Sequence, residues 1–156
     1  MKSNSGLTAL ELSVTLAIMA VIASFTLPPY LQWWRTSRMQ SAVSTLTTDI
    51  EMARTNAIRE NAFIVIQFQN ASYTIFADSN KDWNPNNGEG VLLVRVLPAG
   101  VTIDTANLNF SPFNDKLRFN SRGIPSEINS EEKIGVNQAS NNREITINRL
   151  GAINVQ

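Results

Sequence analysis

Three places in this 156-residue chain carry side chains at spacings that could do chemistry. The first runs from Asp78 to Glu89, where Asp78, Asn80, Asp82 and Glu89 stand at positions one, three, five and twelve of a twelve-residue stretch. EF-hand loops use that spacing to wrap oxygen ligands around calcium. Trp83, however, stands where the sharp turn of such a loop demands glycine, and the flanks read as strands instead of helices. A polar hairpin loop without metal is therefore the preferred reading, with calcium as the alternative and no other cofactor expected. The second place is Ser130-Glu131-Glu132-Lys133, which has the Ser-x-x-Lys spacing of an acyl-transfer nucleophile. Neither Ser-Asp-Asn nor Lys-Thr-Gly accompanies it, so chance accounts for the match. The third is a single residue, Glu11, the only charged side chain between Lys2 and Arg35. A carboxylate inside an apolar run costs about 2.5–3.5 kcal/mol on membrane-insertion scales, so it calls for a partner.

Composition narrows the chemistry further. The chain has no histidine, which removes the commonest general base and metal ligand, and no cysteine, which removes disulfides and thiol chemistry. No catalytic constellation emerges, and the chain reads as a non-enzyme. Thirteen basic residues balance thirteen acidic ones, leaving no global field to hold a polyanion.

The element that must position Glu11 is the apolar stretch from Leu7 to Leu27. Its twenty-one residues would form a helix about 31 Å long, matching a hydrocarbon core of about 30 Å. Tyr30, Trp33 and Trp34 then fall where an interfacial aromatic belt belongs, followed by Arg35 and Arg38. Pro28 and Pro29 lack the amide hydrogen that the helix ladder needs, so a kink or a locally melted segment is expected at the membrane exit. A plain single-span anchor with Glu11 snorkelling to the surface is the bland alternative.

The leader Lys2 to Gly6, then Leu7-Thr8-Ala9-Leu10-Glu11-Leu12, resembles the processing site of type IV prepilins and type II secretion pseudopilins. Gly6, Thr8, Glu11 and Leu12 match in register, while Leu7 replaces the usual phenylalanine and Ala9-Leu10 replaces Leu-Ile. Pro28 also falls at a position where that family commonly has proline. Further along, Ala53 to Asn61 and the Asp78 to Glu89 loop are similar to the FimT/GspH type of minor pilins and pseudopilins. The resemblance implies a structural subunit, cleaved by prepilin peptidase between Gly6 and Leu7, N-methylated on Leu7 and assembled with major and other minor pilins or pseudopilins. It further implies a single pass through the bacterial inner membrane, a periplasmic C-terminal domain, and a place in filament initiation or at the tip of a type IV pilus or type II secretion pseudopilus. Glu11 and Pro28 would serve assembly, with the Glu11 carboxylate neutralising the new amino terminus of a neighbour and so setting axial register.

Two other readings compete with this one. Val21-Ile22-Ala23 could precede an ordinary signal-peptidase cut that releases a periplasmic domain beginning at Ser24. A DNA- or surface-binding minor pilin is the other, but the Gly-Arg-x-Arg run of DNA-binding relatives corresponds here to Gly151-Ala152-Ile153-Asn154. With both arginines missing and only Arg143 and Arg149 nearby, nucleic acid is not expected as a partner and no DNA-binding residues are assigned.

The remaining chain reads as α+β: a long N-terminal helix, half in the membrane and half amphipathic, packed on a small antiparallel sheet domain. The boundaries are a leader over 1–6, a transmembrane and assembly helix over 7–31, an amphipathic half over 32–61, and a β-rich domain over 62–156. Met39, Val43, Leu46, Ile50, Ala53 and Ala57 recur at three- and four-residue steps and predict the core face of the helix. Phe63–Phe68 and Tyr73–Phe76 predict a hairpin, and Val91–Leu97, Val101–Ile103, Leu117–Phe119, Glu144–Ile147 and Ala152–Val155 predict the other strands. The polar stretch from Ser126 to Asn142 reads as a surface loop.

Overall fold

A computed structural model of the chain describes residues 8–85, 89–110, 112–126, 128, 131–139 and 141–156, with the side chains of 27–29 left aside. Among the described residues there is one long helix, α1 (Ala9–Glu60), followed by eight strands, so the α+β expectation holds. The chain divides into two compact units, Met1–Ser37 and Arg38–Gln156. The second half of α1 therefore groups with the strands, and the division falls inside the helix.

In the first unit α1 begins where local chemistry starts it. Thr8 is the N-cap: its Oγ1 accepts the backbone N–H of Glu11 at 3.3 Å, and its carbonyl accepts that of Leu12 at 3.1 Å. Glu11, in the first turn, also suits the positive end of the helix dipole. The hydroxyls of Ser13, Thr15, Ser24 and Thr26 each donate to a carbonyl three or four residues back. Polar groups that are satisfied within the helix can enter lipid without stranding a donor. Mean hydropathy reaches 2.0 over an 18-residue window, which makes α1 long and apolar enough to cross a membrane. The expected melted segment at Pro28 and Pro29 is not seen, since helix is assigned through both residues. Two missing donors remove two ladder bonds, and the turns on either side keep helical geometry.

In the second unit α1 buries Met39, Ala42, Val43, Leu46, Ile50, Ala53 and Ala57, the expected stripe with Ala42 added. The strands form two antiparallel sheets. One contains β1 (Ile64–Phe68), β2 (Ser72–Ala77), β3 (Val91–Val96) and β5 (Lys116–Phe119) in the order β3-β2-β1-β5. The other contains β4 (Thr102–Ile103), β6 (Glu132–Gln138), β7 (Asn141–Ile147) and β8 (Ile153–Val155) in the order β4-β6-β7-β8. A single apolar core takes the helix stripe together with Ile64, Ile66, Phe68, Tyr73 and Ile75 of the first sheet and Ile134, Val136, Ile145 and Ile147 of the second. A smaller cluster of Val65, Phe76 and Trp83 lies apart from it.

β6 corrects the sequence reading, which made Ser126 to Asn142 a loop. Glu132–Gln138 pairs in full register with β7, from Glu132 opposite Ile147 to Gln138 opposite Asn141. Ile134 and Val136 alternate inward and are fully buried, and Gln138 follows them at 5% exposure. A polar composition hid a period of two that only three inward positions carry.

Candidate functional site

The residues proposed for processing and for assembly fall differently. Gly6 and Leu7 lie outside the described residues. Glu11 stands one turn into α1 with its side chain exposed, amid exposed Leu10, Leu12, Val14 and Leu16. Exposed apolar side chains continue through Ile18, Met19, Val21, Ile22, Phe25, Leu31, Trp33 and Trp34, and Tyr30 lies 6.2 and 6.3 Å from the two tryptophan rings. Such a surface is built for lipid or for other helices and not for water. Pro28 is within α1, and its side chain is not described.

The 78–89 segment joins β2 to β3. Asp78 is fully buried, and its Oδ2 meets Arg118 Nη1 at 3.2 Å. The Arg118 guanidinium also lies 3.7 Å from the centre of the Trp83 ring and 4.9 Å from that of Phe63. Lys116 Nζ donates to Trp83 O at 2.7 Å and to Asn84 Oδ1 at 2.9 Å. Two cations from β5 thus fasten the loop to its sheet, joining charge pairing to cation–π contact. Trp83 has φ 66°, the left-handed conformation that a glycine would adopt at that position, and Lys81 shares it. For a bulky residue this is strained, at a cost of order 1–3 kcal/mol, offset by burial of the indole under the guanidinium.

Within the loop, one carboxylate oxygen each from Asp78, Asp82 and Glu89 lies within 4.8 Å of the others. Glu89 Oε1 accepts the backbone N–H groups of Ser79 at 2.8 Å and Asn80 at 3.3 Å. Asn80, the fourth expected ligand, lies beside them and serves its neighbour: its Oδ1 accepts Asp82 N–H at 3.1 Å, and its Nδ2 donates to Asp82 Oδ2 at 3.0 Å. The other sequence candidates do not converge. Arg143 and Arg149 are exposed, Ser130 lies outside the described residues, and Lys133 pairs with Glu144 at 2.7 Å across the β6–β7 ladder.

Sequence reading missed two polar pins on the buried face of α1. Asp49, only 5% exposed, accepts Tyr73 Oη at 2.6 Å and Arg95 Nε at 3.0 Å through Oδ2, and Arg95 Nη2 at 3.3 Å through Oδ1. An acidic residue between Leu46 and Ile50 on the apolar stripe was the signal available. Burial, reinforced by the Asp49 carboxylate, pushes the Tyr73 hydroxyl well above its ordinary pKa of 10.0. Folded chains thus keep that proton at pH values where unfolded chains lose it. The associated stability is complete below pH 10 and lost as pH rises beyond it. Urea midpoints should fall from pH 10 upward in the wild type and fall less steeply in Tyr73→Phe; parallel slopes would contradict the assignment.

The second pin is Arg54. It donates to Gly123 O at 3.0 Å through Nε, to Gly151 O at 3.0 Å through Nη1, and to Leu150 O at 3.3 Å through Nη2. Both glycines have positive φ, 70° and 77°. A Cβ on Gly123 would stand 2.6 Å from Ile58 Cδ1, and one on Gly151 would stand 3.0 Å from Gly123 O.

Residues 42–151 match the family profile described as Type II transport protein GspH. Among solved structures, the type IV minor pilin FimU of Pseudomonas aeruginosa is similar at 18% identity and TM-score 0.61, covering 78% of this chain and 90% of that one. A second crystal form of FimU gives 19% identity and TM-score 0.55, over 75% of this chain and 91% of that one. The minor pseudopilin EpsH from the Type 2 Secretion System of Vibrio cholerae gives 10% identity and TM-score 0.57, over 76% and 96%. No curated protein is close enough in sequence to count as a match.

Proposed function

Because the chain belongs to the GspH family of type II transport proteins, a structural and non-enzymatic family of pseudopilins, we propose that it is cut between Gly6 and Leu7 and built into a type IV pilus or type II secretion pseudopilus, where it helps to initiate or cap the filament. The observation that carries this reading is the exposed apolar surface of α1 from Leu10 to Phe25 and again from Tyr30 to Trp34, interrupted by a single carboxylate. Before assembly that surface lies in the bacterial inner membrane, with the β-rich domain in the periplasm. In the filament it packs against the corresponding helices of major and other minor pilins or pseudopilins.

Glu11 has a local role as well, since a carboxylate in the first turn stabilises a helix by about 0.3–1 kcal/mol. Neutralising a neighbour's Leu7 amine in low dielectric is a larger demand, because breaking a buried pair leaves one charge uncompensated at about 3–5 kcal/mol. N-terminal sequencing of the chain produced beside its natural peptidase should give Leu7 first; Met1 or Ser24 would end this reading. In the same cells Glu11→Gln should be processed and inserted normally, yet enter filaments at about a tenth of the wild-type level or less, as a loss of several kcal/mol requires. Equal incorporation would remove the register role.

A further inference from the structure

We propose that β3 pairs edge to edge with β3 of a second copy of this chain, antiparallel and centred on Val94. Among the described residues the two sheets end in β3, β5, β4 and β8, and every edge but one is closed. β4 and β8 are only two and three residues long, and β5 is buried along its whole length. Short or covered edges are how folded chains avoid pairing with others. β3 is six residues long, and its Val91, Leu92, Val94 and Val96 are 53, 38, 61 and 72% exposed. No lysine or proline guards it, and its one charged residue, Arg95, turns inward to Asp49. The backbone at this edge is open as well. Leu97 N–H donates to Ala71 O at 2.9 Å, and the ladder continues from Ser72 opposite Val96 to Ile75 opposite Leu93. Alternate residues of an antiparallel strand face the same neighbour, so Leu93, Arg95 and Leu97 turn their N–H and C=O groups to β2 while Val94 and Val96 turn theirs away from the sheet. Among the described residues no backbone hydrogen bond reaches those outward groups.

The occupant follows from the register that the edge allows. An antiparallel strand centred on Val94 puts Val94 opposite its own copy and Val96 opposite Leu92 of the second copy, so an apolar row meets an apolar row on the outer face of the sheet. Arg95 then falls opposite Leu93 of the second copy and not opposite another arginine, and Asp49 already neutralises it. Centring on Arg95 would set like charges face to face, which is unfavourable. Centring on Val96 would bring Pro98, which has no N–H to give, opposite Val94. The β2–β3 ladder shifts register between Ile75 and Phe76, which ends the regular run at Leu92, so the bonds exchanged at Val94 are the ones that hold the pair. A cavity of about 170 Å³ opens beside the same edge, lined by Ser41, Thr45, Tyr73, Arg95, Leu97 and Pro98. The register carries the exposed Val91 of the second copy toward Leu97 and the mouth of that cavity. Thirteen cations balance thirteen anions in the chain, so two copies approach without net repulsion.

The chain has no cysteine, so one introduced thiol reports a single position. A contact one strand wide belongs with the weak, transient interfaces, so the test uses the full chain in detergent at about 100 µM. Val94→Cys should be joined into a covalent dimer by a short thiol-to-thiol reagent several times faster than Leu150→Cys, which is 72% exposed but stands in the β7–β8 turn. Light scattering should show a dimer for the wild type and association at least about tenfold weaker for Val94→Lys, which sets two ammonium groups opposite each other in place of two valines. Because Val94 is exposed, that variant should melt with the wild-type monomer. Equal cross-linking at the two thiol positions, an undiminished dimer in Val94→Lys, or a monomeric wild type at this concentration would each overturn the proposal. So would cross-linking of Val94→Cys in cells to a different protein with no homodimer, which would give the edge to another occupant. None of these outcomes depends on where the chain is cleaved, so failure here leaves the filament reading intact.

Discussion

Asp49→Ala should lower the unfolding free energy by about 2–4 kcal/mol, read as a drop in the urea midpoint of the full chain in detergent. The substitution removes one carboxylate that serves two partners. Tyr73 is fully buried, so its hydroxyl would be left without an acceptor in a place that water does not reach. Arg95 is better placed: its side chain is 42% exposed, and water can replace the lost partner. The penalty therefore falls below the upper end for a broken buried pair, and most of it resides in the tyrosine. Tyr73→Phe in the Asp49→Ala background should recover part of the loss, because a matched apolar pair costs less than a donor with nothing to meet. A drop under about 1 kcal/mol for Asp49→Ala would show that the network contributes little.

Arg54→Met should cost about 2–3 kcal/mol by the same measurement, since hydrogen bonds to a charged group contribute about 1.5–3 kcal/mol each and are not additive. Methionine keeps the aliphatic stem and loses the fork. The carbonyls of Gly123, Leu150 and Gly151 belong to two turns far apart in sequence, and one planar guanidinium serves all three. Arg54→Lys should recover less than half of the loss, because a single ammonium cannot span that arrangement. Full recovery by lysine would mean that charge alone matters.

Much of the architecture was legible because it rests on periodicity. The stripe from Met39 to Ala57 and the alternation around Ile64–Phe68 and Tyr73–Phe76 repeat their apolar residues often enough to declare their element. β6 did not, since Glu132, Lys133, Asn137 and Gln138 surround its two buried aliphatic residues and composition outweighed alternation. The polar pins were harder still. Arg54 at a helix end reads as a cation suited to the dipole, and nothing local reveals that its acceptors lie 69 and 97 residues away. Arg118 looks like the outward residue of a strand between Leu117 and Phe119, yet it is 8% exposed beneath Trp83. Pairings that close over long sequence separations leave no periodic trace. The proposed cleavage site rests on the opposite kind of signal, since Gly6, Thr8, Glu11 and Leu12 sit close together in order.

Asp49 and Arg54 are five residues apart, which places them about 140° from each other around the helix axis. One reaches the β2–β3 side of the first sheet and the other reaches turns at 123 and 150–151. An aliphatic stripe by itself tolerates some roll, because greasy contacts are indifferent to a few degrees. Two teeth cut on opposite flanks of the shaft permit a single azimuth, and a turn of one residue, about 100°, would disengage both at once.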